Sequence, residues 1–163
     1  MVFVTVGSQK FQFNALLEAV DALVANGAVE GGAFAQTGAC TYEPAFMEHS
    51  AFLGREGFQE RLKACDIVIT HGGTGAIIGA VKAGKKVIAV PRRAERGEHV
   101  DDHQAEIVSQ FAEMGLIEPC MNPADVPAAY DRALAKEYLP YKSNTDRICA
   151  DLAEQIDMLA GCR

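Results

Sequence analysis

The sequence predicts an α/β domain: a mostly parallel, Rossmann-like sheet with helices on both faces. Short apolar, β-branched runs alternate with helix-period stretches along the whole chain. Polar turns follow the runs that end at Val6, Thr70 and Val90, so they gather on the sheet's carboxyl edge, where such folds bind ligands. The 163 residues suit one domain, with no internal repeat, low-complexity tract or interior linker.

The elements follow in order. Val2–Val6 reads as a strand entering a tight turn at Gly7-Ser8. Phe13, Leu16, Leu17, Val20, Leu23 and Val24 recur at helical spacing, and Asn26-Gly27 stops them. Ala33–Gln36 is a weak strand, residues 37–50 read as a loop, Ala51–Leu53 as another short strand, and Gly57–Ala64 as a short helix. Ile67–Thr70 is the clearest buried strand. His71-Gly72-Gly73-Thr74-Gly75 forms the turn after it, and Ala76–Ala83 the helix closed by Gly84. Lys86–Val90 is a strand stopped by Pro91. Asp101–Met114 is a helix with Ile107, Val108, Phe111 and Met114 inward, and Leu116-Ile117 a short strand. Helices at 123–135 and 145–159 flank Pro140, and residues from about 123 to 163 read as a C-terminal helical arm.

Composition narrows the function. Apolar residues are 49% and charged residues 23%, which excludes a disordered or fibrous chain. The net charge of −7 argues against a broad nucleic-acid surface. No apolar run approaches the roughly 18–20 residues of a membrane span, and Met1–Val6 reads as a strand, not a signal peptide. Cys40, Cys65, Cys120, Cys149 and Cys162 form no C-x-x-C pair and read as reduced, structural thiols.

Three stretches could carry chemistry. Gly7-Ser8-Gln9 lets the backbone approach a ligand and adds a hydroxyl, and it also reads as an ordinary strand-to-helix turn. His71–Gly75 strips side chains from a helix N-terminus, whose N–H groups and dipole suit a diphosphate. It is neither a P-loop nor G-x-G-x-x-G. In Pro91–Gln104, three arginines (Arg92, Arg93, Arg96) precede Glu98, His99, Asp101, Asp102, His103 and Gln104. Acidic residues suit a helix start, and Asp101 could cap it. Two histidines and a glutamine are not explained by capping and suit sugar hydroxyls. Helical spacing puts His103 near the apolar side, above Ile107, and Gln104 about 100° round from it. A zinc site from His71, His99 and His103 is conceivable, but no metal-ligand spacing such as H-x-x-x-H is present, so no metal and no cofactor are expected.

Thr5-Val6-Gly7-Ser8, then Asp66–Gly75, then Val90-Pro91-Arg92 followed by Glu98–Gln104, resembles the donor-binding half of family 28 glycosyltransferases over residues 1–118. The likeness is greatest to PssE-type small subunits of two-component enzymes and less to the dolichol-pathway N-acetylglucosaminyltransferase subunit. It implies the C-terminal half of a GT-B fold. It also implies that Gly7 and Ser8 lie against the nucleotide diphosphate, that His71, Gly72, Gly73, Thr74 and Gly75 face the nucleotide, and that His103 and Gln104 meet the donor sugar. Gly79 stands where MurG-like and dolichol-pathway relatives place a ribose-binding acid.

The activity implied is hexosyl transfer from a UDP-sugar to a lipid-linked saccharide in cell-surface polysaccharide biosynthesis. Arg92 or Arg93 would help neutralise the leaving diphosphate, and His99 and Glu98 are the base candidates in this chain. A GT-B enzyme needs two such domains, so the resemblance implies a membrane-anchored PssD-like or Alg14-like acceptor subunit and a cytoplasmic, peripheral location. Self-association into a homo-oligomer is also open. A non-catalytic enhancer subunit and an NADP-binding oxidoreductase are the alternatives.

Overall fold

In the computed structural model, which describes residues 1–161, six parallel strands form one sheet in the order β3-β2-β1-β4-β5-β6. They are β1 (Val2–Thr5), β2 (Ala33–Gln36), β3 (Glu48–Ser50), β4 (Ile67–His71), β5 (Lys86–Val90) and β6 (Glu118–Pro119). The helices are α1 (Asn14–Ala25), α2 (Arg55–Ala64), α3 (Thr74–Lys82), α4 (His103–Glu113), α5 (Val126–Ala135) and α6 (Thr145–Gly161). The strand order reverses between β1 and β4, which pair in parallel with Val2 opposite Ile67 and Thr5 opposite Thr70.

Alternation along the strands divides the core between the two faces. Val2, Val4, Ala33, Ala35, Ile67, Ile69, Ile88 and Val90 pack with Leu16, Leu17 and Val20 of α1 and Val126, Ala129 and Ala133 of α5. Phe3, Phe34, Val68, Val87 and Ala89 face the other way, onto Leu62 of α2, Ile77 and Ala80 of α3, and Val108 of α4.

The differences from the sequence reading have physical causes. The third strand is Glu48–Ser50, within the expected loop, and not Ala51–Leu53. It is an edge strand with exposed and half-exposed side chains, so it carries no apolar pattern. The last strand lies at Glu118–Pro119 and not at Leu116-Ile117. There the Leu116 N–H still bonds back to Phe111 O, and pairing begins only at Glu118 opposite Ile88. Met114, expected inward, is 57% exposed and caps the end of α4. The expected arm from 123 divides. Val126, Ala129, Tyr130 and Ala133 of α5 are core, whereas α6 buries no residue. Cys162 lies outside the described residues. Cys40, Cys65, Cys120 and Cys149 are free thiols, and burial raises the pKa of the first two and pushes that of Cys120 to about 11.

Candidate functional site

A cavity of about 600 Å³ opens at the carboxyl edge of the sheet, where the strand order reverses. The turn after β1 contributes Gly7, Ser8 and Gln9. β2 contributes Gln36, and β4 with the start of α3 contributes His71, Gly73, Gly75 and Ala76. Leu53, Arg55, Phe58 and Gln59 close the far side. Doubly wound sheets open such a crevice because the two neighbouring crossovers leave to opposite faces.

The glycines are required where they sit. Gly7 has φ +81°, and a Cβ there would lie 2.7 Å from Nε2 of His71. A Cβ on Gly73 would lie 2.2 Å from the same ring, and one on Gly72 2.8 Å from Gln104 Cβ. The His71 ring is therefore wedged between two backbone turns, and only glycine leaves it room. The Gly73 N–H donates to His71 Nδ1 at 3.0 Å. Burial, then the Arg92 charge, lower the His71 pKa to about 4, so the ring is neutral at pH 7.

Thr74 and Gly75, expected within the turn, already belong to the first turn of α3, whose N-cap is Gly73. Their N–H groups open the helix and have no partner within it. The N-terminus of α2, beginning at Arg55, reaches the same cavity. Two helix dipoles thus present positive ends to one crevice. Arg55 is the one lysine or arginine among the described residues lining it. Arg55 belongs to none of the three stretches that the sequence motifs single out. The signal available was its place at a helix start beyond a strand's carboxyl end.

Arg92 does not face the cavity. Its guanidinium is buried and donates to four carbonyls: Nη1 to Phe11 O at 3.0 Å, Gln12 O at 2.8 Å and Glu98 O at 3.1 Å, and Nη2 to Val6 O at 2.5 Å. It is an internal brace and not the expected phosphate contact. Glu98, expected as a base, is also buried, and its Oε2 accepts from the Arg93 N–H at 2.9 Å. Burial raises its pKa. Through that bond it holds the loop after β5.

The orientation of α4 reverses the expectation for its first two residues. Gln104 is 3% exposed, and its Oε1 accepts from the Gly72 N–H at 3.0 Å and the Arg92 N–H at 3.2 Å. The His103 side chain is 47% exposed, and its Nδ1 hydrogen-bonds Asp101 Oδ1. Asp101 does not cap the helix in the ordinary way. The N-cap is Asp102, whose carboxylate accepts from the Ala94 N–H instead. His99 rests against the Phe11 ring at 5.6 Å and the His103 ring at 4.9 Å, and its side chain is 8% exposed.

Residues 1–156 match the glycosyltransferase family 28 C-terminal domain. Over 83 residues the chain is 31% identical to the UDP-N-acetylglucosamine transferase subunit ALG13 of Candida glabrata, covering 50% of this chain and 39% of that protein. The backbone resembles the glycotransferase of kitacinnamycin, with a TM-score of 0.58 and 17% identity, covering 83% of this chain and 35% of that one. It also resembles MurG of Acinetobacter baumannii, with a TM-score of 0.53 and 19% identity, covering 80% and 40%. The chain therefore spans about two fifths or less of the length of each of these proteins.

Proposed function

The chain belongs to the family of the glycosyltransferase family 28 C-terminal domain, and from that premise we propose that it is the donor-binding subunit of a two-component hexosyltransferase using a UDP-sugar. The observation that carries this reading is the cavity at the strand-order reversal, bounded by the Gly7-Ser8 turn and by the N-termini of α2 and α3. Such a place suits a diphosphate, because unpaired N–H groups and helix dipoles are oriented before the charge arrives.

In this reading the diphosphate lies along Gly7, Ser8 and Gly73–Gly75, with Arg55 as its cation. The sugar lies toward His103. Gln104 acts at one remove, holding the Gly72 turn in place. No side chain of Gly79 is available to the ribose, so Gln59 and Gln36, which line the same cavity, are the groups offered to its hydroxyls. As the bond to the leaving diphosphate breaks, negative charge grows where the helix N-termini and Arg55 converge. A base must reach the acceptor hydroxyl. Glu98 is committed to the Arg93 N–H, and His99 is covered by Phe11 and His103. We therefore assign the base to a membrane-associated acceptor subunit, of the PssD-like or Alg14-like kind, on which this chain docks from the cytoplasmic side.

Calorimetric titration with UDP, UDP-glucuronic acid, UDP-galactose and UDP-N-acetylglucosamine tests the reading. Arg55→Ala should weaken UDP and every UDP-sugar alike, by about ten- to hundredfold, as loss of a charge-assisted hydrogen bond would. His103→Ala should weaken only the UDP-sugar that is the true donor. Retention of wild-type UDP affinity by Arg55→Ala would move the nucleotide elsewhere.

A further inference from the structure

We propose that His99, Asp101 and His103 form a binding site for a divalent transition ion of the zinc class. The three residues alternate along the loop that leads into α4, and each turns one ligand atom to the same point. His99 offers a ring nitrogen, Asp101 a carboxylate oxygen and His103 a ring nitrogen, all within 4.8 Å of one another. The arrangement is specific at the atomic level. His99 Nδ1 lies 3.2 Å from Asp101 Oδ1, and His103 Nδ1 hydrogen-bonds the same oxygen.

The His99–Asp101 separation fits a metal shell. Ligand bonds of about 2.0–2.1 Å in a tetrahedron place neighbouring ligand atoms about 3.3 Å apart. The His99–Asp101 separation has that length, whereas His103 Nδ1 hydrogen-bonds Asp101 Oδ1 directly and would draw back from it to admit the ion. The two rings meet edge to face at 68°, with centroids 4.9 Å apart, and do not stack. Outside this trio the support is built. Phe11 lies against the His99 ring, and Asp102 fixes the loop through the Ala94 N–H. His103 and Asp101 are about half exposed, which gives the ion an entry path and leaves coordination positions for water or an incoming ligand.

The donor set selects the class of ion. Magnesium and calcium demand oxygen ligands, and this trio supplies one carboxylate against two imidazoles. Two imidazoles and a carboxylate suit zinc, cobalt and nickel. His71, the conceivable third ligand beside His99 and His103, has its ring held by the Gly73 N–H between two glycines. Asp101 takes the place expected of it. With Nδ1 on the ion, each ring keeps its proton on Nε2, so a metal would fix His103 as an outward hydrogen-bond donor.

The site is tested without substrate, so it stands or falls separately from the donor-subunit reading. The full chain is titrated with Co²⁺, read by its visible ligand-field absorption, and then with Zn²⁺ as competitor. Cys149→Ser and Cys162→Ser are introduced throughout to remove thiol binding at the C-terminal end. One saturable equivalent, displaced by Zn²⁺, is expected. His103→Ala and Asp101→Asn alter half-exposed side chains and should fold, as circular dichroism checks. Each should weaken Co²⁺ by more than the about 10- to 100-fold that follows loss of a group hydrogen-bonded to a ligand. Absence of a saturable band, or retention of the parent chain's Co²⁺ affinity by either variant, would overturn the proposal.

Discussion

Arg92 shows how a residue type suggestive of ligand binding can be consumed by the fold. Its guanidinium takes carbonyls of Val6, Phe11, Gln12 and Glu98, so one side chain pins the turn after β1 to the loop after β5. Arg92→Met would leave those carbonyls without donors in a buried place, at about 1–3 kcal/mol for each left unsatisfied. We expect a loss of at least about 3 kcal/mol in urea unfolding, partly recovered by Arg92→Lys, which restores a charge but not the planar fork. His71 gives a pH signature of opposite origin. Its folded pKa of about 4 lies below the ordinary value of 6.5, because burial disfavours the charged ring. The unfolded chain therefore binds the proton first, and stability is complete above pH 6.5 and falls as pH drops toward 4. Urea midpoints across that window should decline less steeply for His71→Gln than for the parent chain. Equal slopes would mean that the ring is not held neutral. Nothing in the sequence separates an arginine that meets phosphate from one that meets four carbonyls. That distinction depends on chain segments more than 80 residues apart.

At the level of elements, legibility followed the apolar pattern. β1, β4 and β5 were readable because both faces are buried, so their side chains form near-continuous hydrophobic runs. β3 and β6 were displaced because short edge strands need little apolar surface and are defined by backbone pairing alone. The start of α4 was readable as a helix, but not its rotation. Gln104 is drawn inward by the N–H groups of Gly72 and Arg92, and that turns His103 outward. α6 is the limiting case. Ile148, Leu152, Ile156 and Leu159 recur along it at helical spacing, yet all are exposed. It lends no buried surface to the domain, so deletion of residues 145–163 should leave Tm within about 2 °C, since at this size 1 kcal/mol corresponds to about 2–4 °C. A scanning-calorimetry shift of 5 °C or more would show that α6 packs on the domain in solution. Deletion from residue 126 should instead unfold it, because Val126, Ala129 and Ala133 of α5 are core.

For the whole molecule, the strand order decides what one domain can do alone. The reversal between β1 and β4 creates a crevice open to solvent at the carboxyl edge, and every feature suited to a diphosphate lies on its walls. Under the proposed function, the base candidates among the described residues are engaged elsewhere. Glu98 is buried, His99 is covered, and Arg92 is turned into the fold. The location of the crevice was readable from the sequence, because glycine-bearing turns at successive strand ends can only meet on one edge. What faces it was not, because that depends on surfaces outside the chain's own core. Binding and transfer should therefore separate. The chain alone should bind UDP, and adding it to a UDP-sugar should release UDP no faster than the uncatalysed background. Co-expression with an acceptor-domain subunit should raise UDP release and sugar transfer together. Arg55→Ala in the pair should raise KM for the donor by about tenfold or more, the size of one lost charge-assisted contact. His99→Ala should leave kcat within a few-fold if, as proposed, the base comes from the acceptor-domain subunit. A fall in kcat of about 10²–10⁴, the range of general-base catalysis, would return the base to His99 and make this chain carry both halves of the chemistry.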